Sequence, residues 1–342
     1  MLRIAIIGAG RIGVVHARSV LAHPGAALAV VADPDLAAAQ RLAETSPGAR
    51  AVSDAAEVFA APDVDAVIIG SPTRFHVPQI LAALDAGQAV LVEKPVELDM
   101  ARLDECLEAA GERANRVMVG FNRRFDPSLA QVYTRVQAGE IGPLQQLTIT
   151  SRDPAPPPEA YLAGSGGIFR DMTIHDFDMA RHLLGEIASV HAVGVSTRPE
   201  TAAAGDFDQA VTTLTGVDGG VATIINSRQS ATGYDQRLEA FGPLGSLEVG
   251  NATPTLVRAN GAGGSGMADP YLHFFLERYA AAYSAELDSF LTSVDTGVNP
   301  GPTMLDGRKA LELANAATES ATTGMPVNLD AGATRPGARS SA

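Results

Sequence analysis

The 342 residues contain a single cysteine, Cys106, so no intrachain disulfide can form and a reducing compartment is expected. It lies in a helix-like stretch and reads as a core or boundary residue. Positive charge is also scarce: 25 Lys and Arg stand against 39 Asp and Glu, a formal net charge of −14. Nucleic acid and anionic membrane surfaces need clustered cations, so neither is an expected partner. A small neutral substrate fits better. No apolar run approaches the ~20 residues of a membrane span. The stretch between Arg3 and Gly8 holds too few apolar residues for a signal-peptide core. A soluble, cytoplasmic protein is the expectation, with the sequon Asn251-Ala252-Thr253 left unglycosylated. No internal repeat is present.

What the chain does have is α/β patterning. Its length suggests two domains at ~100 to 200 residues each. Short Val/Ile/Ala-rich runs near Leu2 to Ile7, Ala27 to Ala32, Ala66 to Ile69, Ala89 to Val92 and Val117 to Val119 alternate with helical stretches. Continuous apolar strands separated by helices indicate a parallel sheet covered on both faces. The second half is β-rich at Val190 to Thr197, Val211 to Leu214 and Val221 to Asn226. Asp218-Gly219 is a hairpin signal between two of these, and Phe241 to Gly245 marks another reversal. Helices are expected over Gly166 to Leu184 and His273 to Val294. These features predict a doubly wound parallel sheet over 1–120, an α+β domain with an open, mainly antiparallel sheet over 121–330, and a disordered tail over 331–342. Gly261 to Gly266 reads as a soft surface loop. The proline-rich run Asp153 to Pro158 and Gly164 to Gly167 form a flexible stretch that could cover a site.

Gly8, Gly10 and Gly13 in G-A-G-R-I-G follow a strand and open a helix, the context a dinucleotide fingerprint requires. The first glycine permits the tight turn, the second lets a pyrophosphate approach, and the third allows close helix contact. Arg11 and Ile12 complete this candidate cofactor loop. The second strand ends at Asp33, twenty residues after Gly13, where an acid accepts from the adenosine ribose hydroxyls. Asp33 also repels a 2′-phosphate, so NAD is favoured over NADP. Ser71 and Thr73, just after the apolar run Ala66 to Ile69, lie at the carboxyl edge of the sheet, where ligands bind. His76 opens the next helix. Thr73 and His76 read as cofactor contacts, with helix capping as the alternative. Glu93-Lys94-Pro95 ends the next strand. An ammonium placed there beside a substrate hydroxyl favours a developing alkoxide.

Within G-G-I-F-R-D-M-T-I-H-D-F-D-M-A-R-H-L-L, Asp171, His175, Asp178 and His182 recur at helical spacing and are expected along one stripe. An aspartate one turn before a histidine can orient the imidazole and raise its basicity, as a proton acceptor near neutral pH requires. The alternatives are a solvated helix face with Asp171 as N-cap, or a zinc site. A nicotinamide enzyme with a lysine already has its electrophile, so no metal is expected. His16, His23, His191 and His273 are isolated and read as structural or exposed.

These residues resemble the glucose-fructose oxidoreductase, inositol dehydrogenase and MocA family. The likeness extends over residues 1 to 330 and is specific in G-A-G-R-I-G, V-E-K-P, G-F-N-R-R-F-D, S-R-D-P-A-P-P-P, the Gly166 to Arg181 run and G-Y-D-Q-R. It implies a Rossmann domain, an open-sheet domain that often builds a homotetramer, and NAD-dependent oxidation of the C2 hydroxyl of myo-inositol to scyllo-inosose. By matching positions it implies Lys94, Asp171 and His175 as the catalytic group, with Arg123, Asp153, Asp178 and Tyr234 as polyol contacts. Thr232 departs from the more often aromatic residue of the family, which bears on pocket shape. The rival expectations are a dehydrogenase of another polyol or sugar, such as scyllo-inositol, D-chiro-inositol or an aldopyranose, and a non-catalytic NAD-binding sensor or scaffold. A sensor would be expected to lose the lysine or the histidine. This chain keeps both.

Overall fold

A computed structural model of the chain describes residues 1–329; the tail over 331–342, expected to be disordered, lies outside the described residues. The described chain divides into two compact units, Met1–Ala130 with Phe275–Glu312, and Gln131–Phe274 with 313–329.

In the first unit, strands β1 (Leu2–Ile7), β2 (Ala26–Ala32), β3 (Arg50–Val52), β4 (Ala66–Ile69), β5 (Ala89–Glu93) and β6 (Val117–Gly120) form one sheet in the order β3-β2-β1-β4-β5-β6. Every pairing is parallel. The order reverses between β1 and β4, the switch point at whose carboxyl edge such sheets bind ligands. Ile4, Ile6, Val31, Ile68 and Leu91 are buried, as strands covered on both faces require. Asp35 and Asp99 cap the helices Leu36–Ala43 and Met100–Ala110, each accepting from two backbone N–H groups of the first turn. The edge strand β3 escapes the apolar pattern because only Val52 of its three residues is buried.

The contiguous second domain expected over 121–330 does not describe where the chain packs. The helix Ala280–Thr296 returns to the first unit and buries Leu287, Phe290 and Leu291 in the same core as Ile4, Ile6 and Leu91. That apolar stripe has the first sheet's helical layer as its partner, and helical stability comes mainly from such burial. The returning chain also covers the sheet edge, where Val119 N–H donates to Pro302 O at 2.9 Å.

The second unit holds β7 (Gln146–Arg152), β8 (Ile187–Val195), β9 (Gln209–Gly216), β10 (Val221–Ser227), β11 (Asp235–Gly242), β12 (Gly245–Val249), β13 (Arg258–Gly261), β14 (Gly264–Ala268) and β15 (Val327–Asn328). One sheet runs β12-β11-β7-β10-β9-β8-β15, antiparallel except for the β7–β10 pair. The expected hairpin joins β9 to β10 with Gly219 at φ +95°. The stretch expected as a soft loop around Gly261 to Gly266 is instead the hairpin β13–β14. Its residues are almost all exposed, so no buried apolar run signalled it. Part of the flexible stretch after Pro158 is likewise the helix Glu159–Ser165. Among the described residues no helix is long and apolar enough to cross a membrane.

Candidate active site

The carboxyl edge of the first sheet gathers the sequence-predicted nucleotide residues. Gly8 takes φ +104°, and a Cβ there would lie 2.6 Å from Gly70 O, so only glycine lets the loops after β1 and β4 meet. A Cβ on Gly13 would sit 1.9 Å from Gly8 O. Gly10 is different, because a Cβ there would meet no protein atom within 4 Å. The protein's own contacts make no demand for glycine at position 10, whereas close approach of a pyrophosphate to the start of the helix Arg11–Ala22 does. Asp33 is fixed in place by two backbone donors, Ala9 N–H to Oδ2 at 2.7 Å and Asp35 N–H to Oδ1 at 2.9 Å. A carboxylate has about four acceptor sites, so it retains capacity for a ribose diol. These residues fit an NAD nucleotide.

The neighbouring loops are tied together beneath that edge. Ser71 Oγ–H donates to Gln79 Oε1 at 2.6 Å. His76 is buried, with Nδ1 2.9 Å from Pro95 O and Nε2 2.8 Å from Ser71 O. Burial pushes its pKa down, opposed by the two carbonyls. His76, read from sequence as a cofactor contact or a helix cap, has both ring nitrogens within hydrogen-bond distance of backbone carbonyls and braces the Ser71 loop against the Glu93-Lys94-Pro95 corner. Glu93, at the end of β5, lies 2.7 Å through Oε1 from Nε2 of buried His16. Lys94 follows directly, half-buried. Arg123 is buried in the short turn Asn122–Phe125 after β6, its guanidinium 5.7 Å from the Tyr279 ring centroid.

In the second unit, Gly166 and Gly167 take φ +81° and +85° and turn the chain out of the helix Glu159–Ser165. Residues Phe169–Thr173 then form one π-helical turn that continues into the α-helix Ile174–Leu184. Such a turn changes which side chains align and recurs at functional sites. The stripe expected on a uniform helix is therefore not uniform. Asp171 lies in the π-turn, His175 in the first α-turn and half-buried, Asp178 is buried, and His182 stacks on Tyr133 with ring centroids 3.8 Å apart.

Both oxygens of Asp171 are held. Tyr161 Oη–H donates to Oδ1 at 2.8 Å and Arg228 Nη1–H donates to Oδ2 at 3.0 Å. The Tyr161 ring is largely exposed, but desolvation at its hydroxyl raises its pKa, and the charges of Asp171 and then Asp153 add to that shift. It therefore stays a donor. Arg228 Nη2–H reaches Asp206 Oδ2 at 3.2 Å, and Asp206 Oδ1 accepts from the Ile168 and Phe207 N–H groups, each at 2.8 Å. Asp153 follows β7, where its N–H donates to Ser227 O at 2.9 Å. Tyr234 is buried with its ring edge-on to Phe274 at 5.6 Å. Thr232 is exposed, its Oγ1 2.9 Å from Ser230 Oγ.

Beneath the helix runs a second polar layer that sequence reading missed. Ser151 Oγ–H donates to Asp176 Oδ1 at 2.7 Å, Asn226 Nδ2–H to Asp176 Oδ2 at 2.8 Å, and Thr173 Oγ1–H to Asn226 Oδ1 at 2.8 Å. Arg228 and Asp206 were missed as well. A signal for Arg228 exists: Ala222, Ile224 and Asn226 are the inward positions of β10, and period two puts Arg228 on the same side. An inward arginine needs a buried anionic partner.

A doubly wound sheet with a glycine-lined helix start and an acid at the end of its second strand, joined in one chain to an open-sheet unit carrying a braced acid and a histidine, fits the class of nicotinamide-nucleotide oxidoreductases. Comparison narrows it. Residues 2–121 match the oxidoreductase family with the NAD-binding Rossmann fold, and residues 129–248 match the GFO/IDH/MocA C-terminal domain. The inositol 2-dehydrogenase of Rhizobium meliloti (strain 1021) is 43% identical over 93% of this chain and 96% of its own length. The crystal structure of a myo-inositol dehydrogenase from Corynebacterium glutamicum ATCC 13032 superposes with a TM-score of 0.94 at 52% identity, covering 96% of this chain and 99% of that one. The scyllo-inositol dehydrogenase from Lactobacillus casei with bound NAD(H) and scyllo-inositol superposes with a TM-score of 0.87 at 30% identity, covering 96% and 99%. The chain belongs to the GFO/IDH/MocA oxidoreductase family.

Proposed function

We propose that this protein is an NAD-dependent inositol 2-dehydrogenase that oxidises the C2 hydroxyl of myo-inositol to scyllo-inosose. The observation that carries this reading is the Asp171 carboxylate, held by Tyr161 and Arg228 at the head of the helical run that bears His175. The 43% identity to an inositol 2-dehydrogenase over 93% of the chain supports the substrate.

In this reading His175 removes the hydroxyl proton and Asp171 fixes the imidazole's tautomer. The Lys94 ammonium stabilises the oxyanion that develops at the carbinol. Bound NAD supplies the hydride acceptor. One C–H and one O–H bond break, one C=O bond forms, and the proton leaves through His175 to solvent. Asp33 receives the adenosine ribose diol, with Gly8, Gly10 and Gly13 shaping the pyrophosphate loop. Asp153, Asp178 and Tyr234 supply acceptors for ring hydroxyls, and Arg123 supplies donors. A site built to bond several hydroxyls rejects analogues lacking them.

Initial rates with NAD on myo-, scyllo- and D-chiro-inositol, glucose, xylose and lactate test the assignment. Highest kcat/KM on myo-inositol is expected. A preference for scyllo-inositol or glucose overturns the named substrate, and a preference for lactate overturns the polyol reading.

The same reading includes a homotetramer built through the second sheet. Its outward positions carry Val193, Val195, Val211, Val221 and Phe241, all exposed, and Val193 pairs with Val211 across β8 and β9. A row of exposed β-branched and aromatic side chains on one sheet face is what a protein contact buries. Light scattering at micromolar concentration should give a mass near four chains, and a monomer would overturn the assembly.

A further inference from the structure

Two buried residues outside the assigned site, Arg228 and, through it, Asp206, converge on Asp171. Arg228 is 1% exposed, and its guanidinium bridges Asp171 at 3.0 Å and Asp206 at 3.2 Å. Burying a guanidinium is costly unless it is paired and hydrogen-bonded, so two carboxylates converge on it. Asp206 is anchored in turn by the Ile168 and Phe207 N–H groups. Ile168 directly precedes the π-turn that holds Asp171. Asp206 thus grips the start of the helical run and, through Arg228, also the carboxylate one turn further along.

We infer that Arg228 and Asp206 are positioning residues for the oxidation, orienting Asp171 and setting how much of its negative charge reaches His175. The inference rests on the assignment of Asp171 and His175 as the acid/base pair. Arg228 draws on Asp171's charge and so reduces the support that Asp171 gives to a protonated imidazole. Asp206 draws Arg228 the other way and restores part of that support. The chain Asp206–Arg228–Asp171 is an electrostatic divider with opposite signs at its two outer members. Tyr161 donates to Asp171, and the Asp153 charge acts on that same tyrosine hydroxyl. Asp176, on the same helical run, is bonded by Ser151 and Asn226. Asp178 and His182 share the helix with His175.

The test measures inositol oxidation across pH for wild type, Arg228→Gln, Arg228→Lys and Asp206→Asn, with His175→Ala alongside. Oxidation by a neutral histidine rises with pH, so the acid limb of kcat/KM reports the base. Arg228→Gln should lower kcat at least about tenfold, a part of what loss of the base itself costs. It should also move the limb to higher pH, since removing a nearby positive charge favours the protonated imidazole. Asp206→Asn should move it to lower pH, because Arg228 then opposes the imidazolium unbalanced. Arg228→Lys should restore part of kcat. The NAD dissociation constant should stay within about twofold in all of them. A purely structural role predicts no opposed limb shifts. Equal limbs, or shifts of the same sign, overturn the inference. If Arg228→Gln does not fold, the sign of the Asp206→Asn shift decides alone. Wild-type turnover in His175→Ala would instead overturn the underlying acid/base assignment, and the inference with it.

Discussion

Glu286 gives a stability prediction whose sign and size follow from its surroundings. It sits on the helix Ala280–Thr296, is 0% exposed, and among the described residues neither carboxyl oxygen has a hydrogen-bond partner. Burial raises its pKa well above the usual carboxylic value, and the nearby Glu93 carboxylate adds to the shift. The folded state therefore holds a proton that the unfolded state releases. Stability is fully present below the unfolded pKa, the ordinary value of 4.5, and falls as pH rises towards the folded one. Within that window the loss approaches ~1.4 kcal/mol per pH unit. Below the window the neutral acid still leaves buried polar atoms unsatisfied, a cost of about 1–3 kcal/mol. Glu286→Met removes both penalties at nearly constant length. Its stabilisation should be about 1–3 kcal/mol near pH 5 and grow with pH. Urea unfolding at pH 5, 6, 7 and 8 measures it, with Cm rising in the variant and m unchanged. A variant no more stable than wild type, or a gap that does not widen with pH, refutes the account of a buried, protonated Glu286.

Three further outcomes are expected. Asp33→Ser with Pro34→Arg should shift kcat/KM towards NADP, because the repulsive carboxylate goes and a guanidinium partner for the 2′-phosphate arrives; initial rates with both cofactors check this. Lys94→Met and His175→Ala should each lower kcat by ~10² to 10⁴ while NAD binding, followed by fluorescence titration, stays close to wild type. Cys106 is buried, and desolvation, aided by Glu97, pushes its thiol up to about 11; a colourless-to-yellow thiol reagent at pH 8 should report no reactive thiol until the protein is unfolded.

The parallel sheet was legible because buried strands such as Ile4–Ile7 and Val67–Ile69 are continuous apolar runs and the glycine loop has fixed spacing. Gly8 and Gly13 then proved to be demanded by backbone contacts as close as 2.6 and 1.9 Å. The strands β7 and β11 were less legible, since their polar members, Ser151, Asp235 and Gln236, are buried rather than outward. Period-two reasoning assumes that polar residues face water. The return of the helix Ala280–Thr296 to the first core was invisible for another reason: an apolar stripe states that a partner exists and not which one. His76 was ambiguous because a histidine at a sheet's carboxyl edge looks the same in sequence whether its ring meets a cofactor or, as its nitrogens do here, two carbonyls.

The π-turn at Phe169–Thr173 connects these failures to the chemistry. A uniform helix would carry Asp171, His175, Asp178 and His182 as one ribbon, and sequence periodicity can describe only that. In the folded chain the turn sets Asp171 apart, where Tyr161 and Arg228 hold it, while His182 is taken up by stacking on Tyr133. A π-turn lacks the regular bonding of its neighbours and needs outside support. That support is present on both sides: Asp206 binds the Ile168 N–H before it, and Thr173 at its end donates to Asn226, which also holds Asp176. Each of these polar groups is buried, so loss of any one strands another at about 1–3 kcal/mol. The same bonds that stabilise the irregular turn therefore make the position of Asp171 stiff, as the proposed acid/base pairing of Asp171 with His175 would need.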